Sequence, residues 1–132
     1  MKIEEHLLKA DAFERAAAKL APQIDSALYV VYFLRAGTNR VNAALHALKT
    51  TTDGKPTSEQ LGDLNHTYKP KLNVPVPGEL CAAFRHLALI EDMRTEFVRG
   101  DKFLDATTLD ACNAAYRGIC DDTIPLLTRR AP

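Results

Sequence analysis

The chain has 132 residues, of which 46% are hydrophobic and 26% charged, so it is long enough to bury a core as one domain. Its 17 basic and 17 acidic residues balance, which excludes a protein-wide basic field that would attract nucleic acids or membranes. Three cysteines, Cys81, Cys112 and Cys120, form no C-x-x-C pair, which argues against a disulfide framework and a structural zinc site. The N-terminal segment does not read as a signal peptide, and no apolar run is long enough to span a membrane, so we expect a cytoplasmic domain.

Two amphipathic helices are predicted in the N-terminal half of the chain. Apolar residues recur at three- and four-residue steps over residues 2–20, and Pro22 marks the end of this first helix. A second apolar stripe continues over residues 24–50. Gly37 lies within this stripe, where a small residue predicts either close contact with another helix or a slight kink.

A long connection follows the second predicted helix. Residues 51–77 contain four prolines and two glycines, which cannot continue a long helix. We therefore predict a loop there, in which residues 58–64 could form a short turn. Connections of this length are often functional or mobile.

Two further helices are predicted in the C-terminal half. The third begins at Pro77 and ends at Arg99, because Gly100 suits the left-handed position that follows a helix. The fourth covers about residues 107–120, and the tail, residues 121–132, is expected to fray. No strand pattern is present, so the whole chain is predicted to be one all-α domain. Its architecture would be an antiparallel four-helix bundle with the long loop between the second and third helices.

A polar stripe runs along one face of the second predicted helix. Its members are Arg35, Asn39, Asn42 and His46. Their spacing places them within about 60° of one another around the helix axis. Such a stripe either lines an interface or cleft, or forms an ordinary solvated edge, and it contains no acid that would repel an anion. Arg40 leaves the helix on a different face from His46, so these two make a weak catalytic pair.

The histidines give no local sign of a metal site. They are His6, His46, His66 and His86, each on a different predicted segment. No H-x-x-x-H or E-x-x-H pair is present, so the sequence predicts neither a metal site nor a cofactor.

The loop contains a second group of candidate ligand-binding residues. His66, Tyr68 and Lys69 place an imidazole, a phenol and an ammonium close together. That combination can stack on a base and neutralise a phosphate. The alternative is a solvated loop that is anchored to the bundle by Tyr68.

The segment EDMRTEFVRGD, residues 91–101, resembles the R-N-x-x-V-H-G signature of the HEPN superfamily of helical bundles. Arg94 stands for the arginine, Val98 for the valine and Gly100 for the glycine. The all-helical pattern and the alanine-rich second helix agree with this family's architecture. The resemblance implies a homodimer with a cleft between two subunits, which in active members is lined by the arginine and histidine of a metal-independent ribonuclease.

The motif departs from that signature at two positions. Thr95 stands at the asparagine position and Arg99 at the histidine position. Arginine stays protonated, so Arg99 cannot act as a general base, although it can bind a phosphate. Simple helix physics also favours an arginine near a helix C-terminus, and Arg94 could pair with Glu91.

The sequence therefore predicts a non-catalytic HEPN-like binding or interaction module that forms a homodimer. Its candidate ligands are RNA or a nucleotide phosphate, and its candidate partner is another protein rather than a membrane. Arg94 and Arg99 would contribute to an anion-binding or dimer cleft, with the polar stripe as its second wall. Two alternatives stay open, a ribonuclease in which His46 supplies the base beside Arg94, and a purely structural bundle.

Overall fold

The computed structural model describes residues 1–65 and 72–129, and this part of the chain contains helices and no strand. Four helices are longer than three turns, and a single-turn helix and a 3₁₀ turn lie among them. The α-helices are α1 (Ile3–Ala18), α2 (Ser26–Ala47), α3 (Cys81–Asp92), α4 (Arg94–Phe97) and α5 (Ala106–Arg129), and the 3₁₀ turn (Gly78–Leu80) leads into α3. Among the described residues, no helix combines the length and the apolar character that crossing a membrane requires.

The second helix, α2, is the centre of the fold and packs against α1, α3, α4 and α5. Its buried apolar side chains include Val30, Val41 and Leu45, none of which has measurable exposure. Gly37 lies where a Cβ atom would be 2.9 Å from Leu87 Cδ1 and 3.0 Å from Ile119 Cδ1. The predicted close helix contact at Gly37 is therefore confirmed, because only hydrogen leaves room for α3 and α5 to approach.

The predicted third helix, Pro77–Arg99, is divided in the structure. A 3₁₀ turn replaces its first turn, α3 ends at Asp92, and the single-turn α4 ends at Phe97. Gly100 does not take the left-handed conformation that we predicted, since no glycine in the described ranges has a positive φ. Its Cβ would instead lie 2.7 Å from the carbonyl oxygen of Glu96, so glycine is required there for close backbone approach.

The fourth predicted helix is longer than its pattern indicated. We expected it to end near residue 120 and the tail to fray, but α5 continues to Arg129 with Pro125 inside it. Thr123 and Leu126 are buried on this extension. The Thr123 hydroxyl donates a hydrogen bond to the Ile119 carbonyl oxygen at 2.8 Å. Burial of this last stretch against the bundle outweighs the helix-breaking tendency of one proline.

The N-terminal part of the loop folds back onto the bundle. The left-handed conformation that helix ends often use occurs at Lys49, with φ 59°, directly after α2. The chain then bends at residues 58–60, and the backbone amide of Thr52 donates to the carbonyl oxygen of Leu61 at 2.9 Å. This return brings residues 61–65 beside the C-terminal half of α2.

Candidate functional site

The polar stripe of α2 anchors the returning loop. The Asn42 side chain donates to the Leu64 carbonyl oxygen and accepts from the Leu64 amide, each at 2.8 Å. One amide side chain therefore satisfies both the N–H and the carbonyl group of Leu64. Asn39 also bonds to His6 and His46 to Asp63, whereas Arg35 is exposed. Three of the four predicted stripe residues therefore hold other parts of the chain, and they do not line an open cleft.

The loop brings Asp63 against two buried histidines. His46 Nε2 lies 2.7 Å and His6 Nε2 2.8 Å from the same oxygen, Asp63 Oδ1. The two imidazole rings are 5.3 Å apart between centroids. The histidine side chains are 3% and 1% exposed, while Asp63 is 30% exposed, so the group is closed on its histidine side and open at the carboxylate. We call these three side chains the His–His–Asp cluster.

The Nδ1 atoms of both histidine rings also have hydrogen-bond partners. His6 Nδ1 lies 2.8 Å from Asn39 Oδ1, and His46 Nδ1 lies 2.6 Å from the Thr51 hydroxyl. Asp63 Oδ2 accepts from the Met1 ammonium at 2.8 Å. Partial burial raises the pKa of Asp63, but the hydrogen bonds from that ammonium and from both histidines outweigh it and lower the pKa to about 2.

Sequence reasoning missed this cluster, because it looked for ligand pairs at helical spacing. His46 is 17 positions from Asp63, and His6 is 57 positions away. The ligand atoms of these three residues nevertheless lie within 4.8 Å of one another, which is close enough for all three to contact one metal ion. The only sequence signal was indirect, a polar stripe beside a loop of unusual length.

A second buried polar group surrounds Arg40 in the middle of the bundle. Arg40 donates to Glu14 Oε1 at 2.6 Å through Nη2 and to the Tyr116 hydroxyl at 2.8 Å through Nε. The Tyr116 hydroxyl also donates to Glu14. Burial lowers the pKa of Arg40, but these bonds raise it overall, so the guanidinium stays charged. Arg40 bonds to side chains of α1 and α5, and its hydrogen bonds among the described residues do not include His46, in agreement with the sequence argument against that pair.

The arginines of the HEPN-like motif lie at the other end of α2. Arg94 Nη1 is 2.8 Å from Glu91 Oε1, so this arginine forms the pair that the sequence allowed. Arg99 is exposed. Val98 contacts the same groove as Leu28, and His46 lies about 27 Å further along α2 from Leu28. Within one chain, His46 therefore does not share a site with Arg94 and Arg99.

An apolar groove lies at this arginine end, with a volume of about 200 Å³. Its apolar lining comes from the α1–α2 turn, the start of α2, α4 and the segment before α5, namely Ile24, Leu28, Phe97, Val98 and Phe103. Ile24 is 74%, Phe103 67% and Leu28 48% exposed. Large apolar side chains this accessible are unusual when they are grouped around one concave surface.

The remaining predicted site residues, His66, Tyr68 and Lys69, lie outside the described residues.

Comparison of the chain with protein-family models, with curated proteins and with solved structures gives no match. The HEPN resemblance therefore stays a prediction that rests on Arg94, Val98 and Gly100.

Proposed function

We propose that this chain is a non-catalytic, HEPN-like binding module that associates with a second copy of itself through the apolar groove. The observation that carries the proposal is the exposure of Ile24, Leu28 and Phe103 around one concave surface. Removing such side chains from water is favourable by about 1.5–3 kcal/mol for a fully buried one. The proposal assumes antiparallel packing of the helices, which is supported by the contact of His6, near the start of α1, with His46, near the end of α2.

The charges at the rim of the groove favour a second copy as the partner. Asp25, Asp101 and Lys102 all line the groove. In a two-fold symmetric interface each rim residue meets the rim of the other copy, and a rim that carries both signs does not oppose only like charges. The chain has no net charge, and two copies therefore do not repel each other as wholes.

A phosphate ligand is less well supported by the same residues. Arg94 is neutralised by Glu91 at 2.8 Å, and Lys102 lies 3.6 Å from Glu96. The remaining exposed Arg99 is a single charge, whereas nucleic-acid sites gather several. The ribonuclease alternative would also need His46 of one copy beside Arg94 of another, while both ring nitrogens of His46 are bonded within their own chain.

Sedimentation equilibrium tests the proposal with a matched pair of variants. Phe103→Ser removes an apolar side chain from the groove, and Leu8→Ser makes the equivalent change on α1, where Leu8 is 69% exposed. Each groove residue occurs twice in a symmetric dimer, so Phe103→Ser should raise the dimer Kd by about 30-fold or more. Leu8→Ser should leave the Kd unchanged. A wild-type chain that stays monomeric at about 100 µM, or equal effects of the two variants, would contradict the proposal.

Single-stranded RNA provides the second arm of this experiment. We expect fluorescence anisotropy to show no binding that weakens steeply with salt, since few phosphates could be neutralised here. Salt-dependent binding that is lost in Arg94→Ala or Arg99→Ala would instead support the phosphate-binding alternative.

A further inference from the structure

We propose that the His–His–Asp cluster is a binding site for one divalent transition-metal ion, held by His6 Nε2, His46 Nε2 and Asp63 Oδ1. The proposal is independent of the groove, which lies at the other end of α2. It rests on three features of the cluster, namely the spacing of its ligand atoms, its hydrogen-bond directions and its burial.

The spacing is close to that of a metal site. Nitrogen and oxygen ligands lie about 2.0–2.2 Å from such an ion, which puts neighbouring ligand atoms about 3.0–3.5 Å apart in tetrahedral or octahedral geometry. Asp63 Oδ1 is 2.8 Å and 2.7 Å from the two Nε2 atoms, and the three ligand atoms lie within 4.8 Å of one another. Both N–O distances are shorter than that range, so binding of the ion requires outward rotation of the carboxylate or the rings.

The hydrogen bonds of Asn39 define the role of His6. Asn39 Nδ2 donates to the Arg35 carbonyl oxygen at 2.9 Å, which leaves Asn39 Oδ1 as the atom that faces His6 Nδ1. Because Oδ1 is an acceptor, His6 Nδ1 must carry a proton. A neutral His6 then presents the lone pair of Nε2 to the carboxylate of Asp63, and two lone pairs at 2.8 Å repel. The contact requires a positive centre between Nε2 and Oδ1, which can be a second proton or a metal ion.

The surroundings match those of metal-binding histidines. Such histidines usually donate their other ring N–H to a protein oxygen, which fixes the tautomer and the orientation of the ring. His6 has Asn39 in this position, and His46 has the Thr51 hydroxyl at 2.6 Å. Thr51 is itself buried, with 1% exposure, so it cannot be replaced by bulk water.

The donor set indicates the class of ion. Two imidazoles and one carboxylate suit Zn²⁺, Fe²⁺ and related first-row ions, whereas Mg²⁺ and Ca²⁺ prefer oxygen ligands throughout. The buried histidines close one side, while the 30% exposure of Asp63 leaves the other side accessible for solvent ligands. An ion at this position links α1, α2 and the returning loop.

The decisive measurement is equilibrium dialysis of the full chain, without a histidine tag, against Zn²⁺ alone. We expect one bound ion per chain. Asp63→Asn keeps the size of the side chain and one acceptor oxygen but replaces a charged ligand by a neutral one. It should weaken binding by about 100-fold or more, since even changes behind the ligands weaken metal sites by about 10- to 100-fold. Asp53→Asn is the matched control, because Asp53 is an exposed aspartate of the same loop.

A second pair of variants and a spectrum keep the test valid if one variant folds poorly. His6→Gln should lose binding and His86→Gln should retain it, with far-UV circular dichroism confirming the helical content of each variant. Co²⁺ should give visible absorption bands without a thiolate charge-transfer band. Absence of Zn²⁺ binding to the wild-type chain, equal binding by the Asp63→Asn and Asp53→Asn variants, or a charge-transfer band that places the ion on the exposed Cys81 would overturn the proposal.

Discussion

The two ends of α2 differ in the burial and the bonding of their side chains. At its C-terminal end, Asn42 and His46 are buried and every polar atom named there has a partner within the chain. At its N-terminal end, Leu28 is exposed beside Ile24 and Phe103, which are also exposed. At the first end polar side chains hold the chain's own loop, whereas at the second end large apolar side chains remain exposed. Residue type alone does not reveal this difference, because the sequence does not show which polar side chains of α2 have partners within the chain.

The largest effect on stability should follow from removing the hydrogen bonds between Asn42 and the returning loop. Asn42→Ala leaves both the amide and the carbonyl group of Leu64 without their 2.8 Å partners. We expect a loss of about 2–3 kcal/mol in the free energy of unfolding, because two partly buried backbone groups lose their partners at about 1–1.5 kcal/mol each. Urea titration measures this loss. Hydrogen exchange should show faster exchange at residues 61–65.

Asn65→Ala is the matched control, since Asn65 is exposed in the same loop and carries the same side chain. It should change stability by less than about 0.5 kcal/mol. If both variants unfold at the same urea concentration, the stripe is a solvated edge after all and the loop is held by other contacts.

An intermediate effect on stability is expected from alkaline pH, through the buried thiol of Cys112. Burial raises the pKa of the Cys112 thiol to about 11. Burial and the neighbouring Cys112 also raise the pKa of Tyr29, which follows Leu28 on α2. When the pKa of a group is higher in the folded chain than in the unfolded chain, its contribution to stability is complete below the unfolded pKa. That contribution is lost as the pH rises through the folded pKa. For Cys112 the unfolded pKa is about 9. Stability should therefore fall between pH 9 and pH 11, by about 2 kcal/mol for the thiol.

Urea titrations at about pH 8 and pH 10.5 separate the thiol from other groups. Cys112→Ala should lose less stability over this interval than the wild type, although its starting stability is lower. Cys81→Ala removes an exposed thiol and should follow the wild-type pH dependence. Identical pH slopes for all three chains would mean that burial does not raise the pKa of the Cys112 thiol above its value in the unfolded chain.

The sequence pattern predicted those structural features that depend on residues close together in the chain. The extent of α2 follows from its apolar stripe, and the close contact at Gly37 follows from the absence of a side chain there. The break after Asp92 and the passage of α5 through Pro125 depend on packing between helices, which no single window of sequence contains. The His–His–Asp cluster is the extreme case, because Asp63 reaches His6 across 57 positions only after the loop has folded back. Such a site becomes visible only when the partners of Asn42 are known.

The smallest effect on stability should come from the groove itself, and this makes the comparison of the two ends quantitative. Phe103 is 67% exposed in the single chain, so Phe103→Ser should change the free energy of unfolding of the monomer by less than about 0.5 kcal/mol. Asn42→Ala should therefore destabilise the monomer without affecting the groove, while Phe103→Ser should weaken association without affecting the monomer. Urea titration at low protein concentration, where association is negligible, measures the first quantity, and sedimentation measures the second. If Phe103→Ser strongly destabilises the monomer, the Phe103 ring supports the fold of the single chain. Its exposure would then no longer support the groove as a docking surface for a second copy.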